Sequence, residues 1–200
     1  MRTHDNLISG CILAGGIGRR LGGVDKGLVD LAGRPLVAHV IERFAPQVDE
    51  LLLSVNRNHD TYRQHCARLI DDGIADAAGP LAGIAAALKT VSARWLAIAP
   101  CDSPFVPKDL VMRLRDAALT RGAEIAVART GDGLQPVFAL IATKLAPSLD
   151  AFLADGGRKT DAWYAQHVMV TVNCEVERAA FMNINTPADL DAAALRLHTS

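Results

Sequence analysis

Short apolar runs alternate with stretches of helical spacing along nearly the whole chain, and this rhythm constrains the fold more than any other feature. LISGCILA, residues 7–14, ends in glycines and reads as a buried first strand. GRPLVAHVIERFA follows, with Leu36, Val37, Val40, Ile41 and Phe44 at helical spacing. ELLLSVN (50–56), ARLIDD (67–72) and WLAIAP (95–100) read as further strands, with the alanine-rich LAGIAAALKTV (81–91) as a helix between the last two. Leu110, Val111, Leu114 and Leu119 stripe the next helix, which Gly122 is suited to stop. AEIAVAR (123–129), PVFALI (136–141) and VMVTVN (168–173) read as strands, and GRKTDAWYAQH (157–167) as a helix. Thr186-Pro187-Ala188-Asp189 has the capping-box pattern with proline at the first helical position, so ADLDAAALRLH is a final helix.

This alternation implies an α/β fold with a mostly parallel central sheet and helices on both faces. AEIAVAR and PVFALI are separated by little more than TGDGLQ, which predicts one antiparallel excursion. Two hundred residues, with no repeat or linker, are expected to form one domain over 1–200. A formal net charge of −1 gives no general attraction for nucleic acid or an anionic membrane, and 4% aromatics argue against a base-stacking surface. The four cysteines form no C-x-x-C, so neither a disulfide framework nor structural zinc is expected. LISGCILAGG is too short for a signal or membrane span, and a cytoplasmic protein is expected.

Ligands of such sheets bind beyond the carboxyl ends of the strands. Three polar segments fall there: the loop after the first strand, Asp71-Asp72, and Pro100-Cys-Asp-Ser-Pro104. The first is CILAGGIGRRLGGVDKG, rich in glycine, with Arg19, Arg20 and Lys26. It fails as a dinucleotide fingerprint, because Leu21 stands where the third glycine of Gly16-x-Gly18-x-x-Gly belongs. It fails as a P-loop, because Gly27 follows Lys26 where Ser or Thr is needed. Glycines still let backbone N–H groups crowd an anion, and the basic side chains add charge, so phosphate is the expected ligand. The plainer alternative is a solvated glycine-rich loop.

LAGGIGRRLGGVDKGLVDLAGRPL resembles the L-A-G-G-x-x-x-R-[ML]-G-G-x-D-K signature of the MobA family, the molybdenum cofactor guanylyltransferases. The resemblance continues through DDGIADAAGPLAGI, PCDSPFVP, LQPVFAL and FMNINTPADL. It implies a Rossmann-like nucleotidyltransferase fold and a magnesium-dependent reaction. In that reaction a terminal phosphate of molybdopterin, or of molybdenum-molybdopterin, attacks the α-phosphorus of GTP. GMP is transferred and pyrophosphate leaves. Cofactor insertion proteins and delivery chaperones are further partners the family implies.

Residue by residue, the resemblance gives Asp102 the metal and Lys26 the nucleotide phosphates. Arg20 takes the signature arginine position as a pyrophosphate clamp, with Arg19 as the competing candidate. Leu13, Ala14 and Gly15, with Gly16 beside them, match the nucleotide-contacting segment. Asn56, Asp72 and Gly79 match further nucleotide contacts. A carboxylate at Asp72, or at the competing Asp71, is suited to accept from guanine N1–H and its amino group. Asn183, Asn185 and the charges of Gly157-Arg-Lys-Thr160 are candidates for the pterin side. Ser54 departs from the family's Asn-x-Asn, its hydroxyl a partial substitute. Cys101 has no histidine nearby in sequence and is not expected to act as a nucleophile. The L-A-G-G and G-P-L-A-G segments separate the chain from cytidylyltransferase relatives, its length from sugar-phosphate nucleotidyltransferases, and Lys26 with Asp102 from a non-catalytic adaptor.

Overall fold

The computed structural model describes residues 7–66, 68–71 and 79–199. The chain opens with β1 (Ile8–Leu13), followed by the short strands β2 (Ile17–Gly18), β3 (Val24–Asp25), β4 (Asp30–Leu31) and β5 (Arg34–Pro35). Then come α1 (Leu36–Phe44), β6 (Glu50–Ser54), α2 (His59–Arg63), β7 (Leu69–Ile70), α3 (Pro80–Thr90) and β8 (Trp95–Pro100). The remainder is α4 (Leu110–Arg121), β9 (Ile125–Thr130), β10 (Gly133–Ala142), α5 (Ala146–Ala154), α6 (Thr160–Tyr164), β11 (Met169–Asn173) and α7 (Pro187–Thr199).

Seven strands form one sheet in the order β11-β9-β10-β8-β1-β6-β7. Every neighbouring pair is parallel except those of β10, which runs antiparallel to β8 and β9. The expected excursion is thus the β9–β10 hairpin. Its register shifts between Gln135 and Ala139, around Pro136, a residue with no N–H for the ladder. The buried Tyr164 hydroxyl donates to the Pro136 carbonyl at 2.8 Å.

β8 is buried along all six residues, as its unbroken apolar run requires. β1 lies between β8 and β6, with Leu13 in register with both Pro100 and Ser54. Three parallel strands therefore end abreast, and the chain leaves each one at the same edge of the sheet.

Two glycines let helices approach this centre from opposite faces. A Cβ at Gly10 would lie 2.9 Å from Val48 and 3.0 Å from Phe44, at the end of α1. A Cβ at Gly83 of α3 would lie 2.6 Å from Ser54 Oγ and 2.9 Å from Leu13. Gly10 and Leu13 differ in strand parity, which puts α1 and α3 on the two sides.

Two helices were not anticipated from sequence. α2 is a single five-residue turn with no apolar stripe. α5 carries Leu149, Phe152 and Leu153 at helical spacing, but Pro147 near its start masks the pattern. α6 is shorter than expected and β7 only two residues long. The capping box of α7 is as read: Asp189 accepts from Thr186 N–H at 2.8 Å, and its own N–H meets the Thr186 hydroxyl at 3.2 Å. Gly122 closes α4 in the left-handed conformation. Among the described residues no helix is long and apolar enough to cross a membrane.

Gly10→Ala is expected to cost about 1–3 kcal/mol by overpacking, measured by urea unfolding. Adding Val48→Ala, which removes the nearest obstructing methyls, is expected to recover part of that loss.

Candidate active site

The loop after β1 is not an open nest. At its start Ala14 N–H donates to the Ser54 carbonyl at 2.8 Å, and Gly15 takes a φ of +87°. A Cβ at Gly15 would lie 2.3 Å from Asn56 Oδ1, so only glycine lets the loop pass this side chain. β2 and β3 then pair antiparallel, joined through a turn at Arg19–Leu21 and two glycines of positive φ. Lys26 N–H donates back to the Gly16 carbonyl at 3.0 Å. The glycines thus build a small hairpin that returns Lys26 to the sheet edge.

There Lys26 Nζ lies 3.0 Å from Asp102 Oδ2 and 2.5 Å from Asn185 Oδ1. Asp102 is the second residue beyond β8 and is buried. Asn185 arrives from the far end of the chain. Its segment is docked by the Ile184 N–H on the Asp102 carbonyl at 2.8 Å and by the Ser103 hydroxyl on Asn183 Oδ1 at 2.7 Å. Asp189 anchors it from the helix side, accepting from the Asn185 and Thr186 N–H groups. Those bonds, the Asn185 N–H first, hold the Asp189 carboxyl below its ordinary range. Burial raises the Asp102 pKa, and the neighbouring Lys26 ammonium offsets only part of that rise. Burial also pushes the Cys101 thiol well above its usual range, which leaves it inert at neutral pH.

The expected site residues Leu13, Ala14, Gly15, Gly16, Asn56 and Asp102 line the common edge of β1, β6 and β8, with Lys26 above them. Gly79 caps α3 with a φ of +56°. Asp72 lies outside the described residues; Asp71 is exposed, 3.6 Å from His59 Nε2. Arg20 does not meet the Lys26–Asp102 pair. It is exposed and lines a groove of about 470 Å³ with Leu28, Val29, Pro187 and Leu190, near Asp189. Arg19 is exposed too, so exposure does not separate the two arginines. Ser54 is 1% exposed and faces Gly83, so its hydroxyl is a packing contact and not a substitute for the missing asparagine. Arg158 of the GRKT segment donates to the nearby Leu153 and Gly157 carbonyls.

Sequence reasoning passed over the groups behind the loop. Asp25 accepts from Gly27 N–H, Asn58 Nδ2 and the Tyr62 hydroxyl. Asp25 was visible as the aspartate before Lys26; Asn58 and Tyr62 carried no motif.

Among the described residues no three His, Cys, Asp or Glu side chains cluster to hold a metal. A single buried carboxylate at the open end of the strands still suits magnesium, which takes one or two carboxylates and fills its other positions with phosphate and water. Asp102 fits that demand.

A family model for the MobA-like NTP transferase domain matches residues 10–170, which span the hairpin, Lys26 and Asp102. The chain belongs to this family. A molybdenum cofactor guanylyltransferase of Shewanella halifaxensis is 44% identical over 90% of this chain and 90% of its own. One from Ralstonia nicotianae is 46% identical, covering 94% and 97%. Among solved structures, the molybdopterin-guanine dinucleotide biosynthesis protein A of Archaeoglobus fulgidus superposes with a TM-score of 0.80 at 25% identity, covering 96% and 100%. This MobA-like chain is a nucleotidyltransferase with the expected Rossmann-like fold.

The raised Asp102 pKa has a definite consequence for stability. Between its unfolded value, about 3.9, and its higher folded value, the native state binds more protons, so stability falls as pH rises. Asp102→Asn cannot ionise and escapes that loss. The melting temperature of the variant minus that of the unaltered protein is expected to rise from about pH 3 to about pH 7. A flat or falling difference contradicts the effect of burial on Asp102.

Proposed function

We propose that the protein transfers GMP from GTP to the terminal phosphate of molybdopterin, with or without molybdenum, and releases pyrophosphate. The observation that carries this reading is the Lys26–Asp102 pair, held at the strand edge by a loop of the MobA signature. The names of the relatives give the reaction its direction.

An oxygen of the pterin phosphate forms the new bond to the α-phosphorus. The bond from that phosphorus to the bridging oxygen breaks, and pyrophosphate takes its electrons. The acceptor phosphate is already ionised, so no strong general base is required. Lys26 offsets charge on the α-phosphate and the departing pyrophosphate. Asn185 holds the ammonium from one side and Asp102 from another. Asp102 would hold Mg2+, which would supply positive charge to the phosphate oxygens.

Leu13, Ala14, Gly15 and Gly16 meet the nucleotide where β1 ends, with Asn56 and Gly79 beside them, and Asp72 reads the guanine edge. The signature position makes Arg20 the candidate for pyrophosphate, a role its present place in the α7 groove does not itself support. Asn183 and Asn185 face the pterin side. The whole chain acts as one domain. Its four free thiols suit a reducing cytoplasm, where cofactor insertion and delivery proteins are its partners.

Incubation with molybdopterin, Mg2+ and each nucleoside triphosphate is expected to release pyrophosphate with GTP, and to stop when the metal is chelated. Lys26→Met and Asp102→Asn are each expected to lower kcat by about 10²–10³-fold. Asp72→Asn is expected to erode the preference for GTP over ATP. Release with CTP and not GTP overturns the assignment.

A further inference from the structure

Tyr62 lies on α2, and its side chain is fully buried behind the hairpin. Its hydroxyl donates to Asp25 Oδ1 at 2.6 Å. Asp25 Oδ1 also accepts from Gly27 N–H at 3.2 Å, and Oδ2 accepts from Asn58 Nδ2 at 3.1 Å. One carboxylate therefore ties the residue on the far side of Lys26 to α2 and to the turn before it. Burial holds the phenol far above its ordinary pKa, so it keeps its proton and remains a donor.

The fit at Gly27 is equally tight. A Cβ there would lie 2.4 Å from the Tyr62 hydroxyl oxygen, whereas the next atoms, of Cys101, stand at 3.2 and 3.3 Å. Gly27 and the hydroxyl are shaped to each other. Lys26, whose side chain has four rotatable bonds, thus starts from a backbone fixed on both sides: at its own N–H by Gly16, and at Gly27 by Asp25.

We propose that Tyr62 is a positioning residue for the transfer reaction: through Asp25 and Gly27 it aims Lys26 Nζ at Asp102 and Asn185. The catalytic consequence rests on reading Lys26 as the partner of the nucleotide phosphates. A tyrosine that merely fills the core would tolerate Tyr62→Phe, which keeps the ring and deletes only the hydroxyl.

Limited acetylation with acetic anhydride, read by peptide mass spectrometry, reports on the aim of Lys26 without any turnover. All three lysines are ion-paired, but Lys26 is 22% exposed against 56% for Lys89 and 69% for Lys144, so in the native protein it labels slowly beside them. Tyr62→Phe is expected to raise labelling at Lys26 several-fold and leave the other two unchanged. It is also expected to lower kcat about 10- to 100-fold, with a smaller change in KM for GTP. Unchanged labelling at Lys26 overturns the proposal whatever turnover does. Raised labelling with unchanged kcat upholds the positioning and removes Lys26 from the chemistry. Should the single variant fold poorly, Gly27→Ala keeps the idea exposed. Its loss in melting temperature is expected to shrink when Tyr62→Phe is added, and losses that simply add overturn the proposal.

Discussion

The carboxylate of Asp102 is carried out of water by β8, a strand buried along its whole length, and the ammonium of Lys26 is what makes that burial tolerable. Desolvating a charge costs several kcal/mol unless partners are supplied at good geometry. The partners come from two distant parts of the chain. The hairpin after β1 brings Lys26 to within 3.0 Å, and the segment before α7 brings Asn185 to the same ammonium. Even so, the Asp102 pKa remains raised, so desolvation outweighs the single cation. A buried carboxylate only partly compensated by one ammonium suits a further positive charge, such as that of the proposed Mg2+.

The rest of the fold serves to hold these groups still. β1 and β8 run side by side with Leu13 opposite Pro100, so the loop carrying Lys26 and the loop carrying Asp102 leave the sheet together. Gly10 and Gly83 let α1 and α3 press on the strands from either face. The Asp189 capping box both starts α7 and fixes the backbone of Asn185 and Thr186. Hydrogen bonds of this kind cost side-chain and backbone freedom during folding. For the proposed reaction, that ordering is then already complete before the nucleotide binds.

Much of this was legible in the sequence, for identifiable reasons. The unbroken apolar run of WLAIAP marks a strand covered on both faces, and Thr186 to Asp189 marks a helix start by its chemistry alone. The signature loop pointed to Lys26, and PCDSP to Asp102. What could not be read was contact between segments remote in the chain. Tyr62 and Asn58 sit in a stretch with no apolar period, because their task is to satisfy Asp25 and not to form a stripe. Ser54 invited a ligand role by comparison with asparagine, yet the close approach of Gly83 gives it a packing role. Arg20 carries the signature, but its side chain lies along the α7 groove, away from the ion pair.

The central claim is that Lys26 and Asp102 act on the reacting phosphates as a unit. A double-mutant cycle on GTP-dependent pyrophosphate release tests it most directly, using Lys26→Met, Asp102→Asn and the pair together. Groups that act as a unit lose almost everything at the first deletion, so the double variant is expected to be about as slow as the slower single. A double variant slowed by the product of the two single losses would mean independent roles, and would contradict the account.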